Sequence, residues 1–231
     1  MDRLVESSTA AHQAYRFIKE RVISGQYTPG MRLTEEQLAR EIGISRTPIR
    51  EAVRLLMSDG FLLFTPNVGT FVRSWSSAEI AEIFDLRIVL EAEITRLAGL
   101  NITQADIDRL RQIQDRLETY GADSSIERLD HINRLNREFH RVIAEASRNT
   151  RLVNMLTNSI EVPIVQQTFR RYTPEQMTRS LQHHRELIDA FSARDPDWAH
   201  DVMSCHIRAA RHVLLDDRSQ QIATAAKGAR S

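Results

Sequence analysis

Apolar residues recur at helical spacing through most of the chain, and strand-like runs occur in one place, around residues 61–73. Near the N-terminus Ala14, Phe17, Ile18 and Val22 form one helical face that ends at Gly25. A Tyr-Thr-Pro-Gly turn follows. The stretch TEEQLAREIG then predicts a second helix, with Leu38, Ala39 and Ile42 inward and Gly43 closing it. Thr34, with Gln37 three residues on, has the pattern of a capping box. A short turn leads into a third helix over about 46–58, with Ile49, Val53 and Leu56 toward a core. FLLFTPNVGTFVRSW reads as two β runs, 61–65 and 70–73, around a Pro-Asn-Val-Gly turn. Helix, helix-turn-helix and hairpin in that order predict a winged helix-turn-helix over 8–75.

The texture changes at RSWSSAEI, where Ser76 or Ser77 can cap the next helix. Glycine nearly vanishes beyond it, and long amphipathic helices take over. About six are predicted: 77–99, one capped by Thr103 and closed by Gly121, 124–147, 150–172 with a kink at Pro163, 173–195, and one opening at Pro196. Strand-like alternation is absent, so residues 77–217 are predicted to form an all-α bundle, and the chain as a whole to be mainly α. The small, polar tail after Asp217 is expected to fray.

Composition narrows the partners. Lys+Arg and Asp+Glu number 31 each, so any nucleic-acid site must be a local basic face rather than a property of the whole chain. The single cysteine, Cys205, excludes an internal disulfide and fits a reducing cytoplasm; an inert buried thiol is expected there. No stretch approaches the roughly 20 apolar residues of a membrane span, and the N-terminus lacks a signal-peptide run. A cytoplasmic protein without a membrane partner is expected.

The third helix concentrates arginine. Arg46, Arg50 and Arg54 sit four apart, along one stripe. The second helix of a helix-turn-helix enters the major groove, where its first turns reach base edges. Arginine pairs with guanine O6 and N7 through two N–H groups. Arg46 and Arg50 are therefore the candidates for base readout, with Ser45 and Thr47 to bond phosphate or base. Pro48 is tolerated because first-turn amides lack helical partners. Gly69 at the wing tip and Arg32 before the second helix complete the set. The competing reading is an ordinary solvated face partly neutralised by Glu51, with Arg54 in a salt bridge, Arg32 a surface strand residue and Gly69 a turn former.

The stretch YTPGMRLTEEQLAREIGISRTPIREAVRLLMSDG, followed by PNVGTFV, resembles the winged helix-turn-helix of the GntR family of bacterial transcription regulators. The resemblance covers roughly 10–75 and implies that Ser45, Arg46, Thr47 and Arg50 contact a double-stranded operator, with Gly69 in the wing. One departure stands out. Some members carry a basic DNA contact in the preceding helix, where this chain has Thr34-Glu35-Glu36-Gln37.

In the second region three histidines lie on apolar faces of different helices. His140 follows Asn136 by one turn. His184 shares a face with Leu181, Ile188 and Phe191, and His206 with Val202, Ala209 and Val213. His183 falls off its helix's inward stripe. A bundle can converge such side chains on a divalent ion, with zinc the first choice and nickel or manganese as alternatives. Three separate hydrogen-bonded core histidines are the other reading. The segments DLRIVLEAE, Asn136-x-x-x-His140, HHRELIDAFSARD and CHIRAA resemble the FCD effector domain of the FadR subfamily. That resemblance, over about 78–217, implies that Asn136, His140, His184 and His206 hold the metal and leave positions open for a small carboxylate effector. Asn136 supplies a neutral oxygen where many members have a carboxylate. Arg87 can meet an effector carboxylate through a forked contact, or bridge to Asp85, Glu91 or another helix. Trp75 and Trp198 are expected to be packing residues.

These readings converge on a homodimeric, ligand-responsive repressor rather than an enzyme. The alternatives are a metal-dependent enzyme with a DNA-binding appendage and an architectural DNA-binding dimer without effector.

Overall fold

The computed structural model describes residues 2–121, 127–159, 168–169 and 171–228 of the chain. They fall into two compact units that divide between Trp75 and Ser76.

The first unit holds α1 (Asp2–Ser24), β1 (Arg32–Leu33), α2 (Glu35–Ile42), α3 (Arg46–Ser58), β2 (Leu62–Thr65) and β3 (Gly69–Val72). The inward faces of its three helices supply Ala14, Ile18, Leu38, Ile49, Val53 and Leu56 to one core, closed by Phe61, Leu62 and Val72. The sheet is antiparallel with strand order β1-β3-β2. The hairpin was legible in sequence. The short strand β1 was not, because two residues carry no alternation; Arg32 pairs opposite Phe71 only once β3 is beside it.

Thr34 caps α2 by accepting from the Gln37 N–H at 3.1 Å. Gly43 ends it in the left-handed region at φ 77°, with its N–H bonded to the Ala39 carbonyl at 3.0 Å. The space around it is open, so a methyl group there meets nothing but backbone strain. Gly43→Ala should lower stability by about 1–2 kcal/mol, read as a shifted urea midpoint with an unchanged slope.

The second unit contains six helices among the described residues: α4 (Ser77–Asn101), α5 (Gln104–Gly121), α6 (Glu127–Ala146), α7 (Thr150–Ser159), α8 (Pro174–Ser192) and α9 (Pro196–Gly228). Ser76 and Glu79 form a full capping box at the start of α4, and Thr173 with Gln176 does the same for α8. Thr103 caps α5 with Asp106 as its reciprocal partner, 3.0 and 3.2 Å. Helix α4 packs against α6, α7 and α9, which is why residues on several of its sides are buried. Gly99 lets the start of α9 approach: a Cβ there would lie 2.9 Å from Pro196 Cα.

Three expectations change here, and a fourth is left untested. The helix from Pro196 continues to Gly228 rather than ending near Asp217, in keeping with the helix-forming Ala, Gln and Lys of the tail. Cys205 is exposed, not buried, because it sits off the stripe that carries Val202, His206 and Val213 inward. Trp198 is 37% exposed and donates its indole N–H to Glu186, so it is not a core residue; Trp75 is buried. The kink expected at Pro163 lies outside the described residues.

Candidate DNA interface and histidine cluster

Helix α3 turns Pro48, Ile49, Ala52, Val53 and Leu56 into the core, which leaves Ser45, Arg46, Thr47, Arg50 and Arg54 exposed. Ser45 is the N-cap residue, yet its hydroxyl makes no capping bond. The arginines are engaged by the preceding helix. Arg50 offers Nε and Nη2 to the Glu35 carboxylate at 3.0 and 2.9 Å, a fork across the turn. Arg46 lies 3.3 Å from Glu36, which also meets Arg40. The Arg50 bond holds the Glu35 carboxyl below its ordinary range against the opposing effect of burial. Sequence reading noted Glu35 and Glu36 as a departure but not as partners of the arginines, since the pairing spans fifteen residues.

Arg32 and Gly69 come together at the wing. Gly69 has φ 135°, and a Cβ there would sit 2.9 Å from Arg32 Nε, so the guanidinium lies over bare backbone. Asn67 takes the left-handed conformation at φ 62° to complete the wing turn.

In the second unit His140 of α6, His184 of α8 and His206 of α9 each offer a ring nitrogen, and the three atoms lie within 4.8 Å of one another. The inward stripes of three helices meet there. His184 stacks on Phe139 at 4.2 Å and nearly parallel. Buried atoms without a hydrogen-bond partner include His184 Nε2 and His206 Nδ1 of the cluster, His183 Nδ1 beside His206, and Asn136 Oδ1 one turn before His140. Such atoms are costly to bury unless something else satisfies them. The donor set of imidazoles plus an amide oxygen fits a divalent transition metal.

The outer edges of two rings are held. His140 Nδ1 meets Glu91 Oε2 at 3.0 Å, and Arg87 Nε donates to Glu91 Oε1 at 2.7 Å. Burial would push the Glu91 carboxyl up; Arg87 and His140 overcome it and hold it down to about 2. His184 Nδ1 meets Gln114 Oε1 at 3.1 Å. Arg87 is thus a buried partner of Glu91, the bridging arrangement. Glu91 was named in sequence only as a bridging partner of Arg87, not as the partner of His140, and Gln114 was not picked out at all. Their only signal was a polar residue at an inward position of a helix.

Beside the cluster, a cleft of about 280 Å³ is lined by Tyr172, Gln176, Arg179, His183, His206 and His212, among others. His206 contributes to both cleft and cluster. His183, off the inward stripe, faces this cleft.

Burial first, then neighbouring imidazoles, pushes His184 and His206 well below the ordinary 6.5. Both stay neutral in the folded protein while the unfolded chain takes up protons near pH 6.5. Their stabilisation is therefore present above about pH 6.5 and is lost as pH falls toward the depressed folded values. Chelator-treated protein should melt progressively lower from pH 8 to pH 5, with proton uptake on unfolding measurable by calorimetry in two buffers. The Glu91 contribution is lost later, as pH falls from its ordinary 4.5 toward about 2.

The winged first unit, with an exposed arginine helix, and the helical second unit define a class, the DNA-binding transcription regulators. Residues 10–72 match the model of bacterial regulatory proteins of the gntR family, and residues 82–209 match the FCD domain. The chain belongs to the gntR family and carries an FCD domain. It is 31% identical over 212 residues to the uncharacterized HTH-type transcriptional regulator YdhC of Bacillus subtilis, covering 89% of this chain and 93% of that protein. A probable D-xylose utilization operon transcriptional repressor of Paenarthrobacter nicotinovorans is 25% identical over 208 residues, 87% of each chain. The solved structure of Escherichia coli McbR/YncC has the same fold, with a TM-score of 0.69 at 24% identity over 90% of this chain and 98% of that one.

Proposed function

We propose that this DNA-binding transcription regulator is a cytoplasmic homodimeric repressor whose grip on its operator is set by a small carboxylate effector at a metal-containing pocket in the helical unit. The observation that carries this reading is the convergence of His140, His184 and His206 with unpartnered buried atoms at the meeting point. Asn136, His140, His184 and His206 would hold the ion, zinc before nickel or manganese. A divalent ion bound there supplies a positive centre with positions open to a carboxylate oxygen.

The chain's own residues do the rest. Asn136 and the neutral imidazoles bring no negative charge to the ion, and the Glu91 charge is offset by Arg87. An anionic ligand is therefore favoured. The cleft beside His206 gives it a route, and Arg179, which lines that cleft, is the cation we assign to its far end. Arg87, first read as the effector contact, serves in this proposal as the counter-charge of Glu91. On the DNA side Arg46 and Arg50 read bases, Ser45 and Thr47 bond phosphate or base, and Arg32 with Gly69 brings the wing to the backbone. The effector acts by binding one arrangement of the dimer's DNA-binding units more tightly than another.

An enzyme is the less favoured reading. The relatives are transcriptional regulators, Glu138 is tied to Arg109 at 3.1 Å, and Glu91 is occupied by Arg87 and His140.

The test is a thermal-shift screen of small carboxylates on metal-loaded protein. A true effector at a hundred times its Kd should stabilise by about 2.7 kcal/mol. The same compound should release the protein from an operator fragment, and Arg179→Ala should lose most of the shift. No shift with any carboxylate, on protein that holds metal, would remove the effector reading and leave an architectural dimer.

A further inference from the structure

The His184 ring lies flat on Phe139, so its plane is set by packing. Stacking does not decide which nitrogen carries the proton. A neutral imidazole has two tautomers, and only the one with a bare Nε2 can offer a lone pair at the cluster.

Gln114 decides it. This residue is fully buried on the inward stripe of α5, beside Leu110 and Leu117. Its amide nitrogen lies 3.1 Å from the Leu181 carbonyl and 2.9 Å from Glu118 Oε1. Both of those groups only accept, so the NH2 must point at them. The amide oxygen is then left facing His184 Nδ1 at 3.1 Å, and an oxygen there can only accept. His184 must place its proton on Nδ1. Its Nε2 is left as an unprotonated, unpartnered atom in the buried cluster. Glu118 is itself anchored by Arg185, at 2.7 Å to each carboxylate oxygen, and Arg185 also meets Asp115.

We propose that Gln114 is the positioning residue of His184: its amide, locked by Leu181 and Glu118, selects the Nδ1–H tautomer and so presents Nε2 to the ion. The inference rests on the metal reading for its purpose but not for its observable. His140 has the matching arrangement with an anion, Glu91, in place of the amide. One ring is thus oriented by a charged acceptor and the other by a neutral one. The neutral acceptor orients without adding a second buried charge that would need its own cation.

The experiment uses full-length, chelator-treated protein labelled with ¹⁵N-histidine, at pH 8. Long-range ¹H–¹⁵N spectra distinguish the two neutral tautomers, with His184 assigned by its loss in His184→Asn. Wild type is expected to show His184 as Nδ1–H. Gln114→Met, of similar shape but with only a weak thioether acceptor, should show Nε2–H or a mixture at His184 while His140 stays unchanged. Its affinity for Zn²⁺, by competition with a chelating dye, should fall about 10- to 100-fold.

An Nε2–H tautomer in wild type overturns the proposal, and this reading does not depend on any variant folding. An unchanged tautomer and unchanged Zn²⁺ affinity in Gln114→Met overturn it as well. If the tautomer shifts as expected but neither protein takes up Zn²⁺, Ni²⁺ or Mn²⁺, the orienting role stands and the metal reading fails.

Discussion

Replacing His140 and His184 together by alanine should abolish metal binding while leaving a folded, DNA-binding protein. Wild type purified without chelators, then offered zinc, nickel and manganese, should hold about one ion per chain by elemental analysis. The double variant should hold none. The expected effect is large because two of three clustered imidazoles go at once, and Asn136 with His206 cannot retain an ion alone. Truncating two side chains around a polar cluster also relieves an unfavourable burial, since His184 Nε2 has no protein partner. The same change leaves the buried Glu91 Oε2 and Gln114 Oε1 without their imidazole partners, so the variant should melt below chelator-treated wild type by more than the cavity cost alone. Metal-loaded wild type should melt higher than either, in proportion to free metal. A wild type that holds no metal under these conditions would end the metal reading.

Arg50→Ala should cost roughly 5- to 150-fold in affinity for a duplex selected by the wild-type protein, the range of one lost forked arginine–guanine contact. The structure adds a condition. Arg50 gives Nε and Nη2 to Glu35, so reading a guanine through that edge requires the pair to open. The pair is exposed, and exposed ion pairs are weak, so the exchange is easy. Glu35 then does something the arginine cannot. In the proposed docking it places a negative charge beside the groove, which opposes phosphate binding wherever no guanine compensates. Glu35→Gln should bind random duplex more tightly, with a steeper dependence on salt, and should narrow the gap between selected and random sequence. Fluorescence anisotropy at several salt concentrations reads both effects. Unchanged binding of Arg50→Ala to the selected duplex would remove Arg50 from base readout.

The two sites differed in how far sequence could see them. The DNA-binding unit was legible because its logic is local. A cap at Thr34, a glycine at position 43 and an apolar stripe at Ile49, Val53 and Leu56 together dictate which side of α3 faces out. What stayed hidden there was the Glu35–Arg50 fork and the seating of Arg32 over Gly69, both contacts between separate elements. In the helical unit periodicity sorted His140, His184 and His206 inward, and set His183 aside. It could not show that three inward stripes meet at one point. Nor could it separate Gln114 from any other glutamine on a helix, or show that Arg87 is paired with a buried glutamate.

By itself, then, the sequence determined the helices and the hairpin, most of their caps and inward faces, and which side chains were candidates for each site. Those depend on residues within about one helical turn of each other, where spacing dictates direction. Only the tertiary structure decided convergence: the histidine nitrogens within 4.8 Å, the Gln114 amide against His184, and the glutamate that holds Arg50. These pairs lie 15 to 70 residues apart in the chain. Side chains so far apart meet only after the helices have packed, and packing is a property of the whole core rather than of any one segment's pattern.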